Sequence, residues 1–378
     1  LFRSGDGMSN GFELGDPNCV WTKGTTPART SGITHPGVMT STPAPTPAPT
    51  VKTSHIVSKI HATVPAMLSS VWPGIGRFCG VAQFGQAVAA LGDIDGDGVV
   101  DLAVGPAGEN GWNSVVYIIQ LTSEGEAKTV TRLKPDDTPA LISAGIVSND
   151  RFGTALAGLA DLDGNGVGEL VVGSNWDDDG GTNGGAVYIV FLDSAGGATG
   201  YTKLSATSAD SPSLSGAIAA HDYFGCSVAV LGDLDGDGVP DLAIGAYGAD
   251  DAGQNTWTQY GGTMSGAVHI VFLNSDGTAK SSVKLSAPSS GLEGWLGVND
   301  YFGYSVAGLG DLDGDGNVDL AVGAPYDDDQ DGGHCGTDVG AVYVLFLNAD
   351  GSVKTVTKQS KHTSASLASS LDNSDSFG

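Results

Sequence analysis

Basic charge is scarce in this chain: its 378 residues carry sixteen Lys and Arg against forty-three Asp and Glu, a formal net charge of −27. Such a surface repels nucleic acid and anionic membranes, both of which require a basic footprint. Cysteine is sparse as well. Cys19, Cys79, Cys226 and Cys335 stand far apart with no C-x-x-C pair. Neither a zinc site nor a dense disulfide framework is indicated, and one or two bridges remain open. No run of eighteen apolar residues occurs and the sequence opens on Leu1 rather than Met, so it displays neither a membrane span nor a signal peptide.

Catalytic signatures are missing too. There is no H-E-x-x-H and no P-loop. The single G-x-S-x-G match, Gly7-Met8-Ser9-Asn10-Gly11, lacks the preceding strand and following helix that give a nucleophile elbow its strained turn. The seven histidines are dispersed. His334 sits beside Cys335 in a loop, and His269 lies in an apolar strand, where a place in the core is expected. The expectation is a protein that is not an enzyme.

Glycine and acid are what the chain has in quantity. Fifty-nine glycines with 40% hydrophobic residues describe a folded chain of short strands and tight turns, so the expected class is all-β. The acids are not scattered. They recur in "LGDIDGDGVVDLAVG" from Leu91, "LADLDGNGVGELVVG" from Leu159, "LGDLDGDGVPDLAIG" from Leu231 and "LGDLDGDGNVDLAVG" from Leu309. The lead acids Asp93, Asp161, Asp233 and Asp311 are 68, 72 and 78 residues apart, a period that marks a repeat architecture. Each unit opens on Phe-Gly: Phe84-Gly85, Phe152-Gly153, Phe224-Gly225 and Phe302-Gly303, with a fifth at Phe377-Gly378.

Each unit reads as four strands. A small apolar strand such as "SVAVLG" precedes the acidic loop, and "DLAVG" or "DLAIG" follows it. A third strand is an unbroken apolar run, "AVYIVFL" from Ala186, "AVHIVFL" from Ala267 and "AVYVLFL" from Ala341. After a short turn comes a more polar fourth strand. Side chains alternate faces along a strand, so an unbroken apolar run has to be covered on both sides. A four-stranded sheet packed on both faces by like neighbours is a β-propeller blade. The expected blades are 84–151, 152–223, 224–301 and 302–376, with another starting at 377. Tandem small β-domains are the alternative, disfavoured because units this short would have marginal cores.

The acidic loops place oxygen donors at positions 1, 3, 5 and 9, with a backbone carbonyl at 7. These are Asp93, Asp95, Asp97, Val99 and Asp101; Asp161, Asp163, Asn165, Val167 and Glu169; Asp233, Asp235, Asp237, Val239 and Asp241; and Asp311, Asp313, Asp315, Asn317 and Asp319. Carboxylates so crowded repel one another unless a cation joins them, and an all-oxygen set selects Ca²⁺, one ion per repeat. An EF-hand would require a Glu at position 12 and flanking helices, whereas a strand follows here. The second loop has one fewer negative charge, and the weakest site is expected there.

The Phe-Gly pairs, the acidic loops, the apolar strand and Gly323-Ala324-Pro325 together resemble the FG-GAP repeat of integrin α-subunit β-propellers, over about residues 80–378. The resemblance implies a propeller of about seven blades, structural Ca²⁺, and adhesion or ligand binding outside the cell. Only the fourth unit has the full Gly-Ala-Pro; the others read Gly105-Pro106-Ala107, Gly173-Ser174-Asn175 and Gly245-Ala246-Tyr247.

Residues 1–41, of different composition, read as a truncated or disordered N-terminal segment, within which "GFELGDPNCVWTKGTTPARTSG" resembles part of a MAM-like adhesion domain. "TPAPTPAPT", 42–50, reads as a stiff polyproline linker open to O-glycosylation, as in a glycoprotein. Residues 51–83 read as an outer strand and lead-in, with 51–60 as the rim strand of a terminal blade.

The leading function is an extracellular, calcium-binding module for a protein or glycan partner. The alternatives are an accessory propeller of a secreted hydrolase, in the manner of a glycosylphosphatidylinositol phospholipase D-like enzyme, and a structural spacer in a surface protein. In a meander, successive connections lie at opposite ends, so the acidic loops and the long loops should face apart. The long loops hold Trp72, Trp112, Trp176, Trp257 and Trp295, with Tyr260 and Tyr326, as candidate partner anchors. They also hold the acidic clusters Asp177 to Asp179, Asp250-Asp251 and Asp327 to Asp329.

Overall fold

The computed structural model describes residues 84–105, 115–147, 149–250, 264–287, 290–328, 340–371 and 376–378. All belong to the compact unit Ile60–Gly378. The readings of residues 1–41, 42–50 and 51–83 lie outside the described residues.

Among the described residues, sixteen strands form four separate antiparallel sheets. The first holds β1 (Val88–Gly92), β2 (Asp101–Val104), β3 (Val116–Leu121) and β4 (Ala127–Leu133). The second holds β5 (Leu156–Leu159), β6 (Glu169–Ser174), β7 (Ala186–Leu192) and β8 (Ala198–Ser205). The third holds β9 (Ser227–Gly232), β10 (Asp241–Ala246), β11 (Ala267–Leu273) and β12 (Ala279–Ser286). The fourth holds β13 (Ser305–Gly310), β14 (Asp319–Ala324), β15 (Ala341–Leu347) and β16 (Val353–Ser360). Each sheet is a simple meander in chain order, so every first-to-second and third-to-fourth connection lies at one end and every second-to-third connection at the other.

The cores lie between the sheets, which rules out tandem independent domains. Ala103, Val116 and Ile118 of the first sheet share one buried cluster with Leu170, Val172 and Tyr188 of the second. On the other face of the second sheet, Val171, Val187 and Ile189 cluster with Leu242, Ile244 and Val271 of the third. Ala243, Val268 and Ile270 then meet Leu320, Val322 and Tyr343 of the fourth. The first strands β1, β5, β9 and β13 pack one on the next. This is propeller packing, and it explains why "AVHIVFL" has no polar alternation: all seven residues of β11 are buried between two neighbours. In β15 the burial alternates, with Tyr343 and Leu345 against the third sheet and Val342, Val344 and Phe346 only half-buried.

The Phe-Gly pair is the joint between blades. Phe224 and Phe302 make parallel bridges to Gly185 and Gly266 of the preceding blade. Their rings are fully buried in their own blade, edge-on to His269 at 5.2 Å and Tyr343 at 5.4 Å. The Gly303 amide bonds the Gly323 carbonyl of its own blade at 3.1 Å. The Gly303 carbonyl, in turn, abuts Gly245 of the blade before, where a Cβ would lie 2.0 Å from that oxygen. Glycine at 245 is therefore required by the close approach of two backbones. Phe377 docks on Gly340 with the same geometry: a Cβ at Gly340 would lie 2.0 Å from the Phe377 carbonyl oxygen, as one at Gly266 would from that of Phe302.

Candidate metal centre and the opposite face

Each acidic loop joins the first and second strands of a blade, and its conformation is fixed by its own backbone amides. In the third loop, Asp233 Oδ1 accepts from the amides of Gly236 and Asp237 at 2.8 and 2.9 Å, and Oδ2 from Gly238 at 2.8 Å. Gly236 and Gly238 have φ of 79° and 92°, the left-handed region that lets the turn curl around the lead acid. The first, second and fourth loops repeat these bonds from Asp93, Asp161 and Asp311.

The position-9 acid is a buried clamp. Asp241 is fully buried; its Oδ2 accepts from Leu234 at 2.9 Å and its Oδ1 from Leu273, at the end of β11, at 3.1 Å. Asp101, Glu169 and Asp319 do the same in their blades. Burial pushes the Asp241 carboxyl up to about 6, against the pull of those two amides. Burial likewise raises Glu169.

Carboxylate oxygens converge in all four loops. One from each of Asp93, Asp95 and Asp101 lie within 4.8 Å of one another, as do those of Asp161, Asp163 and Glu169, of Asp233, Asp235 and Asp241, and of Asp311, Asp313 and Asp315. The donors are oxygen only, which fits a hard cation of the Ca²⁺ type. Carboxylate oxygens that already accept one amide keep a second lone pair for an ion.

No spacing in the chain announces the lysines that meet these loops. Lys128 Nζ lies 2.6 Å from Asp95 Oδ2 and 2.8 Å from Asp97 Oδ2. Lys280 lies 2.6 Å from both Asp235 and Asp237, and Lys354 lies 2.7 Å from both Asp313 and Asp315. All three ammonium groups come from the second residue of a fourth strand, at the same end as the loops. The bond from lysine holds Asp97, Asp237 and Asp315 below the usual carboxylate range.

At the opposite end the long loops begin, and the structure separates the residues read there. Asp177 and Asp327, read as members of acidic loop clusters, are buried. Asp177 accepts from the Tyr188 phenol at 2.7 Å and pairs with Lys203 at 2.9 Å; Asp327 is held in the same way by Tyr343 and Lys358. These bonds pin the start of a long loop to the third and fourth strands. Trp295 is half-buried against the core, its carbonyl oxygen 2.7 Å from the Tyr343 hydroxyl. Trp176 is half-buried with the Arg151 guanidinium 3.4 Å over its ring. Tyr326 is 42% exposed. Trp72, Trp112, Trp257, Tyr260 and Asp329 lie outside the described residues.

Tyr326 ends an aromatic strip assembled from neighbouring blades. Tyr223 stacks on Tyr247 at 4.8 Å, Tyr247 on Tyr301 at 5.4 Å, and Tyr301 meets Tyr326 edge-on at 4.8 Å. Tyr304, 49% exposed, adds a ring 5.5 Å from Tyr247. Tyr223 and Tyr301 each precede a Phe-Gly and have φ of 55° and 58°, a conformation unusual for a bulky residue. Sequence could have marked Tyr223 and Tyr301, each directly before a Phe-Gly, whereas Tyr304 has no counterpart in the other units. Cys226, the one described cysteine, is a free thiol pushed up to about 11 by burial.

Residues 224–271 and 302–345 match the FG-GAP repeat family, and residues 3–38 match the temptin C-terminal family. The chain is 32% identical to integrin alpha-5 of Xenopus laevis over 176 residues, which is 45% of this chain and 15% of that protein. It is 34% identical to human integrin alpha-7 over 204 residues, 52% of this chain and 14% of that one. Temptin of Aplysia californica is 70% identical over 33 residues, 9% of this chain and 26% of temptin. The stretch from Gly11 to Gly32, which resembles a MAM-like domain by its residues, falls within the temptin match. The chain thus carries FG-GAP repeats and is similar to integrin α subunits over about half its own length, while spanning only a small part of theirs.

Proposed function

Starting from a chain of FG-GAP blades similar to integrin α subunits, we propose that it is an extracellular adhesion or ligand-binding module without catalytic activity, stabilised by Ca²⁺. The observation that carries this reading is the segregation of the two ends of the blades. One end holds four converging carboxylate sets; the other holds the long loops and a strip of partly exposed tyrosines.

Asp93, Asp95 and Asp101, Asp161, Asp163 and Glu169, Asp233, Asp235 and Asp241, and Asp311, Asp313 and Asp315 would hold the ions. Bound Ca²⁺ supplies charge neutralisation for the loop; the chain's own residues supply the preformed turn and the buried clamp to the third strand. The long-loop end would engage a protein or glycan, because Tyr304 and Tyr326 offer flat rings with polar rims at low entropic cost. We further propose that the four blades belong to a larger ring of about seven.

Two measurements test the reading. Thermal unfolding with Ca²⁺ and with chelator should differ, since an ion that binds only the folded state stabilises it; superposed curves overturn the calcium assignment. Binding to arrayed glycans and matrix proteins should be lost on substituting Ala at Tyr304 and Tyr326 together. Binding that survives this double substitution moves the partner away from the tyrosine strip.

A further inference from the structure

The four loops differ at position 5 and at one residue far from them in sequence, and the two differences coincide. Three loops have Asp97, Asp237 or Asp315 at position 5, and each is bridged by a lysine. The second loop has Asn165, and among the described residues no lysine reaches it. The hairpin register makes the equivalence strict. Leu121 pairs with Ala127, Leu192 with Ala198, Leu273 with Ala279 and Leu347 with Val353, so the next residues, Lys128, Thr199, Lys280 and Lys354, occupy one structural position. Thr199 stands where the other blades have lysine.

Asn165 replaces both halves of the missing pair. Its Oδ1 accepts from the Val167 amide at 2.7 Å, as Asp97 Oδ1 does from Val99 at 2.9 Å. Its Nδ2 donates to the Leu192 carbonyl at 2.9 Å, where the outer oxygen of Asp97 instead meets an ammonium. Charge is conserved as a result. Three loops combine four carboxylates with one ammonium, and the second combines three carboxylates with none, so each nets three negative charges.

We propose that Lys128, Lys280 and Lys354 are tethered counter-cations that set the cation affinity of their loops, each offsetting the position-5 carboxylate so that all four loops bind Ca²⁺ with similar strength. This rests on the calcium reading above and replaces the expectation, drawn from acid count alone, that the second loop is weakest. The lysine side chains are about 40% exposed and touch only the outer oxygens. They lower the negative potential felt by an arriving ion. They also relieve the repulsion between positions 3 and 5 when no ion is bound.

The test is calcium titration calorimetry on the full chain, stripped with chelator, at fixed ionic strength. Lys280→Thr should tighten one site roughly thirtyfold, the effect of one unit charge about 4 Å from a divalent ion in a water-like dielectric. Thr199→Lys should weaken one site by a similar factor, and Lys280→Thr with Asp237→Asn should restore the wild-type isotherm. With chelator and no metal, Lys280→Thr alone should lower the melting temperature. Wild-type binding with a Lys280→Thr site that is unchanged or weaker overturns the counter-cation proposal while leaving calcium intact. A wild-type chain that takes up no Ca²⁺ overturns the calcium reading itself, and the affinity proposal falls with it.

Discussion

Tyr188 donates its phenolic hydrogen to Asp177 over 2.7 Å, and that carboxylate also meets Lys203 at 2.9 Å. Tyr343, Asp327 and Lys358 repeat the arrangement two blades on. The phenol is buried and its ionisation is pushed far up, chiefly by burial and then by the Asp177 charge, so it acts only as a donor. Tyr188→Phe should cost about 1–3 kcal/mol, the usual range for a buried hydrogen bond to a charged group. A double-mutant cycle of Tyr188→Phe with Lys203→Met, read by denaturant unfolding, should show coupling between the two. Strict additivity would mean the three groups do not act as one network.

The acids of one loop should separate into two kinds. Asp241 holds two backbone amides from different strands, whereas Asp237 faces solvent and Lys280. In chelator, Asp241→Ala should destabilise the chain by about 1–3 kcal/mol for each amide left unpaired, while Asp237→Ala should leave it nearly unchanged. Both substitutions should reduce calcium uptake. Equal stability of the two variants without metal would refute the clamp.

A pH dependence follows from Asp300, which is 2% exposed. Burial, and then the nearby Asp327 charge, pushes its carboxyl up to about 7. In the unfolded chain it titrates near the ordinary value of about 3.9. Between these limits the folded state keeps a proton that the unfolded state has released. Stability therefore falls as pH rises from about 4 to 7, and the loss is complete above that. Asp150, pushed up to about 6 by burial at the equivalent place, adds to the trend. Asp300→Asn should flatten the profile and raise the melting temperature at pH 8 by about 2–4 °C, the usual response to ~1 kcal/mol in a domain of this size. It should have little effect at pH 4. Asp300 Oδ2 accepts the Gly297 amide at 2.6 Å and Oδ1 has no hydrogen-bond partner among the described residues, so an amide fits.

The blade joint should be intolerant of one methyl group. Gly245→Ala would put a Cβ 2.0 Å from the Gly303 carbonyl oxygen and 2.2 Å from Ser227 Oγ. The backbone oxygen cannot move without pulling Phe302 out of its bridge to Gly266. A loss at or above the upper end of the ~1–3 kcal/mol typical of overpacking is expected in chemical denaturation. Gly216→Ala meets no atom within 4 Å and pays only for its φ of 78°, so it should cost less.

The strands and their repeat were legible because their causes are local. Apolar runs such as "AVHIVFL" coincide with β11, and "SVAVLG" with β9, since a strand's character is written in the residues that form it. The acid positions were equally readable: a turn needs its carboxylates and glycines at fixed spacing along the chain. Even the two-ended layout followed from the antiparallel order of four strands.

What only the tertiary structure decided was which distant groups meet. Lys280 lies 45 residues from Asp235, and nothing in the spacing of either announces the pair. The sequence showed Asp177 as one of three adjacent acids; folding buried it beneath Tyr188 and left no clue in composition. Tyr223, Tyr247, Tyr301 and Tyr326 form one strip because neighbouring blades sit side by side. Local propensity fixes how each blade is built, but contacts between blades depend on how whole sheets stack, and a linear pattern holds no record of that stacking.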